Sequence, residues 1–307
     1  MKKVFITPRS FPFQDAGISA MLRQYGLETE RNLTGRTLTE EEMAEACRDA
    51  EGVIVGIDPM GARVLEQAEK LKVISKYGIG TDNIDLATAD RLGIRVLTAA
   101  GANARSVAEL TVGLFFSLAR GIPSSAARVK QGGWERSRGV ELYGKTAGIM
   151  GFGRIGREVA RMLLGIGMMV WAYDPFLSEE LCPPGVQKSG WDEVIEKADF
   201  LTLHLPLSER TRRIIGKQVL ERMKPSSYLV NTSRGELVDE DALYEALVSG
   251  KLSGAAQDVF SVEPPGEHRL LTLENFILTP HTGAYTAEAV MNMAVYSVRN
   301  LGEAMRE

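Results

Sequence analysis

Three segments late in the chain end apolar runs with polar residues that could act together. They are Asn231-Thr232-Ser233-Arg234-Gly235, the stretch from Asp258 to Glu263-Pro264-Pro265, and Pro280-His281-Thr282-Gly283-Ala284. Removing hydride from an alcohol carbon requires a base for the hydroxyl proton and, where the substrate is an acid, a cation for its carboxylate. His281 suits the first task, because imidazole titrates near neutrality. Glu263 beside it would orient the ring, stabilise imidazolium and raise its pKa. Arg234 suits the second, since a planar guanidinium matches a carboxylate. The chain has three histidines, so the choice of base is narrow. His204 ends an apolar run and reads as packing near a cofactor, and His268 sits in a polar loop and reads as exposed.

These segments need elements to hold them. The first hundred residues alternate short apolar runs with helical patterns. Val4–Thr7, Val53–Val55, Lys72–Ser75 and Ile94–Leu97 read as strands. Glu40–Cys47 reads as a helix capped by Thr39, and Val64, Leu65, Ala68 and Leu71 follow helical spacing. A long apolar helix is expected over Asn103–Arg120, lying between two bodies, with a glycine-marked loop after it. A second alternating series starts at Lys145. Its strands are Ala147–Met150, Met169–Tyr173, Phe200–Leu205, Tyr228–Asn231, Gly254–Asp258 and Phe276–Thr279, and the tail from Thr286 to Glu307 reads as a helix. Strands alternating with helices imply parallel sheets covered on both faces. The expected fold is therefore α/β, with two doubly wound parallel-sheet domains. In such folds ligands bind beyond the carboxyl ends of the strands, so a cleft between the two is the natural active site.

Gly151-Phe152-Gly153-Arg154-Ile155-Gly156 follows an apolar strand and opens a helix. In that context G-x-G-x-x-G marks a dinucleotide site. One glycine makes the turn, one lets a pyrophosphate approach, one lets helix pack on strand, and the helix N-terminus binds the phosphates. Asp174 ends the next strand at close to the spacing of an acid that holds the adenosine ribose. A carboxylate there repels a 2′-phosphate and no arginine follows it, which favours NAD over NADP.

With these residues stands Gly78-Ile79-Gly80-Thr81-Asp82-Asn83-Ile84-Asp85. Together with the glycine loop, Asn231–Asp239, Asp258–Pro265 and Pro280-His281, it makes nearly the whole chain resemble the D-2-hydroxyacid dehydrogenases. The resemblance implies a catalytic Arg234, Glu263 and His281. It implies a backbone loop for the substrate carboxylate at Tyr77, Gly78 and Ile79, a nicotinamide-amide acceptor at Asp258, and cofactor contacts at Arg154, Ile155, Leu205 and Thr232. The segment of His281, Gly283 and Ala284 would line the same cofactor. It also implies a discontinuous fold: a flavodoxin-like substrate domain of residues 1–99 and 286–307, and a Rossmann NAD-binding domain of residues 100–285. Members are usually homodimers joined through the cofactor domain.

Within the family, Lys76–Asp85 and Gly132–Glu135 look most like D-3-phosphoglycerate dehydrogenases, and Lys76, Arg136 and Arg138 could face a phosphate. The segment Val55-Gly56-Ile57-Asp58 lacks the arginine expected there, Asp58 adds the wrong sign, the Trp134–Gly144 loop is short, and no regulatory ACT domain follows. Another D-2-hydroxy acid, such as a sugar acid or its phosphate, stays open. Formate dehydrogenases carry glutamine where this chain has Glu263. An NAD-binding sensor like the family's corepressors is the alternative from another class. A net charge of −4 without blocks of one sign gives no reason to expect nucleic acid or a membrane surface as partner. Cys47 and Cys182 lack metal-type neighbours and read as reduced thiols, so no metal is expected. The apolar stretch at the start is too short for a signal peptide, which points to the cytoplasm.

Overall fold

The computed structural model describes residues 1–306, apart from the side chain of Leu181. Glu307, the end of the expected helical tail, lies outside the described residues. The chain divides into two compact units: residues 1–103 with 284–307, and residues 104–283.

The first unit holds a five-stranded parallel sheet of β1 (Lys2–Ile6), β2 (Leu27–Arg31), β3 (Gly52–Val55), β4 (Val73–Lys76) and β5 (Arg95–Thr98). Their order is β2-β1-β3-β4-β5, the flavodoxin-like arrangement. β3 and β4 are buried along their whole length, as strands covered on both faces must be. β2, Leu-Glu-Thr-Glu-Arg, is an edge strand and mostly polar, so apolar patterning does not reveal it. Helices α1 (Ala16–Gln24), α2 (Glu40–Cys47), α3 (Ala62–Gln67) and α4 (Leu86–Arg91) connect the strands. The expectation for α2 is met at both ends, and Thr39 and Glu42 complete a capping box. The tail forms a long helix over Ala287–Ala304, capped by Thr286, and its Met293, Val298 and Leu301 enter the core with Val4, Ile6, Ile54 and Val73. That apolar face is why the chain's last segment belongs to its first sheet.

The second unit opens with α5 (Ala104–Arg120) and α6 (Ile122–Lys130), the latter not foreseen from sequence. Seven parallel strands follow: β6 (Thr146–Met150), β7 (Met169–Tyr173), β8 (Val186–Lys188), β9 (Phe200–Leu203), β10 (Ser227–Asn231), β11 (Leu252–Gln257) and β12 (Phe276–Leu278). Read as β8-β7-β6-β9-β10-β11-β12, the order reverses between β6 and β9, and that reversal is the switch point at which such sheets bind ligands. Between strands lie α7 (Arg154–Ile166), α8 (Trp191–Lys197), α9 (Lys217–Arg222) and α10 (Glu240–Val248), and the tail helix of the first unit is α11.

Helix α5 is a core element of the second unit. Its Ala108, Leu114, Phe115 and Ala119 share a cluster with Val159 and Leu163 of α7, and Phe115 stacks on Phe200 with ring centres 5.1 Å apart. Phe115→Ala is expected to cost about 3–5 kcal/mol through lost burial and the cavity left behind. A loss of unfolding free energy below about 1 kcal/mol in urea titration would show that α5 does not anchor this core.

Candidate active site

The glycine loop links β6 to α7, and each of its glycines has a separate steric reason. Gly151 has φ +95°, and a side chain there would place its Cβ 2.4 Å from the carbonyl oxygen of His204. A Cβ on Gly156 would come 2.3 Å from the oxygen of Gly151, so the helix can approach the turn only without one. Gly153 has no atom within 4 Å of its Cβ position, which leaves an open approach to the start of α7. A pyrophosphate fits such a cradle. Arg154 and Ile155 are the first residues of α7, Ile155 turned to the core and Arg154 exposed. Asp174, just beyond β7, accepts the N–H of Phe152 at 2.8 Å with one oxygen and the N–H of Phe176 at 2.8 Å with the other. It therefore ties the loop down, and its carboxylate keeps lone pairs for ribose hydroxyls.

At the far end of the same sheet, the turns after β10, β11 and β12 meet. His281 Nδ1 lies 2.8 Å from Glu263 Oε2, and the two side chains are 45% and 38% exposed. The other oxygen of Glu263 accepts the N–H of Phe260 at 3.0 Å. The hydrogen bond to Glu263 raises the His281 pKa above its ordinary value, outweighing burial, and the charges of Glu263 and Asp258 add to the rise. Burial works to raise the Glu263 carboxyl, but His281, the Phe260 N–H and Arg234 hold it below the usual range. Arg234 thus lies close enough for its charge to lower both pKa values. The sequence-expected trio is brought together.

Asp258 is 2% exposed and anchors the His281 turn. Its Oδ1 accepts the hydroxyl of Thr279 at 2.5 Å and the N–H of Thr282 at 2.8 Å, and its Oδ2 accepts the N–H of Gly283 at 2.8 Å. Its carbonyl accepts the N–H of His281 at 2.9 Å. In this structure the expected nicotinamide-amide acceptor commits its carboxylate to its own scaffold. Gly283 is equally engaged, since its carbonyl accepts Ser106 Oγ at 2.6 Å. Thr232 is buried and shares a hydrogen bond with Thr111 of α5 at 2.9 Å. Leu205 packs on the core beyond β9. Ala284 falls in the first unit, against the core that holds α11.

The other two histidines have distinct surroundings. His204 reaches Thr202 Oγ1 at 3.1 Å through Nε2, its buried Nδ1 has no partner among the described residues, and burial pushes its pKa down to about 3. It stays neutral and packs, as read. His268 is not the exposed residue expected: its side chain is largely covered, edge-on to Phe260, with Nε2 3.4 Å from Glu240 Oε2.

In the first unit, Lys76 does not present its charge outward. It is buried, with Nζ donating to the carbonyl of Gly56 and, at 2.7 Å, to Asn83 Oδ1. The Tyr77 hydroxyl donates to Val290 O at 2.9 Å, and burial lifts its pKa to about 12. Both side chains brace the loop. Gly78 has φ +137° and donates its N–H to Lys76 O at 3.0 Å. Among the described residues, the N–H groups of Ile79 and Gly80 have no internal acceptor.

Three supports were not anticipated. Gly235 is backed against the chain so tightly that a Cβ would fall 1.9 Å from the carbonyl carbon of Phe260. That contact sets the Arg234 turn beside the Glu263 turn. Asn231 is buried, accepts the N–H of Ser233 at 3.0 Å and donates to Arg234 O at 2.8 Å, fixing the bend that presents Arg234. Glu240, at the start of α10, accepts the N–H of Ser261 at 2.8 Å and steadies the Glu263 loop. Asn-x-x-Arg at a strand end is a readable turn signal; the other two depend on through-space contacts.

Asp258→Asn replaces one acceptor by a donor that must face an N–H. Stability is expected to fall by about 1–3 kcal/mol, the cost of a buried group left unsatisfied. An unchanged denaturation midpoint would contradict the anchoring role.

The second unit matches the model of the D-isomer specific 2-hydroxyacid dehydrogenase NAD-binding domain over residues 112–283. A D-3-phosphoglycerate dehydrogenase of Methanocaldococcus jannaschii is 48% identical over 257 residues, 82% of this chain and 49% of that enzyme. The chain thus spans about half the length of that relative. A hydroxypyruvate reductase of Thermotoga maritima is 41% identical over 278 residues, 89% of this chain and 90% of the enzyme. A crystal structure of a Thermus thermophilus protein superposes with a TM-score of 0.89 at 34% identity, covering 99% of this chain and 97% of that one. The glycine cradle, the Arg–Glu–His cluster and these likenesses agree: the chain belongs to the D-isomer-specific 2-hydroxyacid dehydrogenase family.

Proposed function

We propose that the protein is an NAD-dependent dehydrogenase that interconverts a D-2-hydroxy acid and the matching 2-oxo acid, with D-3-phosphoglycerate as the leading named substrate. The observation that carries this reading is the 2.8 Å bond between His281 Nδ1 and Glu263, with the Arg234 charge beside it. The bond commits Nδ1 to the carboxylate and leaves Nε2 as the nitrogen that exchanges a proton with substrate. Bound NAD would supply the hydride acceptor, with Gly151–Gly156 as the residues that would hold its pyrophosphate and Asp174 its ribose. Arg234 supplies the cation for the substrate carboxylate, and in the first unit the loop at Tyr77–Ile79 supplies backbone N–H groups for an anion. In oxidation His281 Nε2 takes the hydroxyl proton, and in reduction it returns one to the C2 oxygen. Glu263 stabilises the imidazolium formed between.

The second unit exposes the large apolar side chains of Phe116, Ile122, Val129, Trp134 and Tyr143, all from the α5–α6 segment and the loop after it. We take this face as the homodimer contact. Both cysteines are free thiols, which supports a cytoplasmic placement. No described helix is long and apolar enough to cross a membrane. The corepressor-like alternative gains no support from the relatives that match, which are named as dehydrogenases and reductases.

His281→Ala is expected to lower turnover about 100-fold or more. Oxidation needs neutral imidazole, so it should rise with pH through the raised His281 pKa, and reduction should fall through the same pKa. Glu263→Gln removes the largest cause of that rise, so both limbs should move to lower pH. Unmoved limbs in kcat/KM profiles would remove His281 from the proton path. Comparing NAD with NADP tests Asp174, which should disfavour NADP by about tenfold or more through charge repulsion. A preference for NADP would overturn that role.

A further inference from the structure

The rim of the first sheet, where the strands end, carries a cation for which the mechanism has no use. β1 ends at Ile6, and the chain leaves it through Thr7, Pro8 and Arg9. This exit is rigidly fixed. Thr7 N–H donates to Ile54 O at 2.9 Å, its hydroxyl bonds the buried carboxylate of Asp58, and its Oγ1 accepts the N–H of Gly56 at 3.0 Å. The second oxygen of Asp58 accepts Leu38 N–H at 2.9 Å. Asp58 is therefore turned inward and bonded, and does not place an open carboxylate on the rim as the sequence suggested. A side chain at Gly56 would meet the ring of Pro8 at 3.5 Å, so the Pro8-Arg9 segment runs directly beside the end of β3.

The neighbouring cations are committed elsewhere. Arg36 pairs with Glu42 at 2.6 Å, Arg31 lies over the Phe13 ring, and Lys76 is buried in the loop it braces. Arg9 is exposed, donates once, from Nη1 to Gly35 O at 2.8 Å, and has no carboxylate partner among the described residues. That single bond positions the guanidinium and leaves most of its donors open. β3 lies between β1 and β4, so Arg9 leaves its strand roughly 10 Å from the loop at Gly78–Gly80, two strand spacings away. An extended arginine side chain, once released from Gly35 O, covers most of that span. Beside the path, Ile57 is exposed and apolar.

We propose that Arg9 binds a second anionic group at the far end of the substrate, phosphate or carboxylate, while the first carboxylate rests on the N–H groups of Ile79 and Gly80. This rests on the dehydrogenase reading above and narrows its substrate to acids with anions at both ends. A planar guanidinium with open donors matches either oxyanion bidentately.

The test compares D-3-phosphoglycerate and D-malate, which carry a distal phosphate and a distal carboxylate, with D-glycerate and D-lactate, which carry neither. Wild-type enzyme should favour one of the first pair, and which one identifies the group. Arg9→Gln should lower kcat/KM for that substrate at least tenfold more than for the pair without a distal anion, mainly through KM, and Arg9→Lys should restore part of the loss. Equal losses on all four substrates, or no preference for a distal anion in the wild type, would overturn the role of Arg9 alone. Absence of turnover on all four with NAD bound would overturn the dehydrogenase reading and this inference with it.

Discussion

The end of the second unit that carries Arg234, Glu263 and His281 depends on one buried carboxylate. Asp258 is almost wholly removed from water, which would be prohibitive for a charge without compensation. Compensation comes from a single turn: Thr279, Thr282 and Gly283 all donate to it. Binding works in both directions. The donors stabilise the charge, and the charge holds the turn, including His281 at φ +51°, a left-handed conformation that costs a non-glycine residue of order 1 kcal/mol or more. The histidine is aimed by backbone that Asp258 fixes, and Glu263 sets the rotation of the ring.

A second constraint is the removal of Cβ atoms where backbones must touch. Gly235 lets the Arg234 turn lie against Phe260 and Ser261, and Gly151 lets the dinucleotide loop lie against the end of β9. In each case a side chain would separate two segments whose proximity is the function. One contact sets the distance between guanidinium and carboxylate, and the other sets the cradle at α7. Gly153, open rather than crowded, has a different reason: the space above it leaves the start of α7 accessible.

These differences explain how much the sequence could disclose. Elements with strong periodicity were legible: α2 with its capping box, the buried strands β3 and β6, and the order strand, glycine loop, helix, acid. Short edge strands were not, because β2 and β8 are polar and take their identity from a neighbour's backbone. The proximity of Arg234, Glu263 and His281 was legible because they follow successive strands of a parallel sheet, and such ends share one rim. The side chains of Lys76 and Tyr77 show the limit. Residue type suggested a substrate cation at Lys76 and said nothing of where the Tyr77 ring would go, yet Lys76 bonds Gly56 and Asn83, and Tyr77 bonds α11. Direction of burial decides such cases, and a loop sequence does not encode it locally. His268 differs from its reading for the same reason, since Glu240 and Phe260 reach it from distant positions.

His204 and His281 are residues of one unit with opposite electrostatic fates, and the contrast isolates what makes a proton carrier. Burial alone acts on His204 and drives it to a permanently neutral state. His281 is also partly buried, but a carboxylate takes its Nδ1, and the balance reverses. Arg234 opposes that rise, as any cation nearby must. A base beside an obligatory substrate-binding arginine would lose its proton affinity without a compensating anion. In the proposed dehydrogenase, Glu263 would let a cation for the substrate and an imidazole for the proton coexist within one charge field.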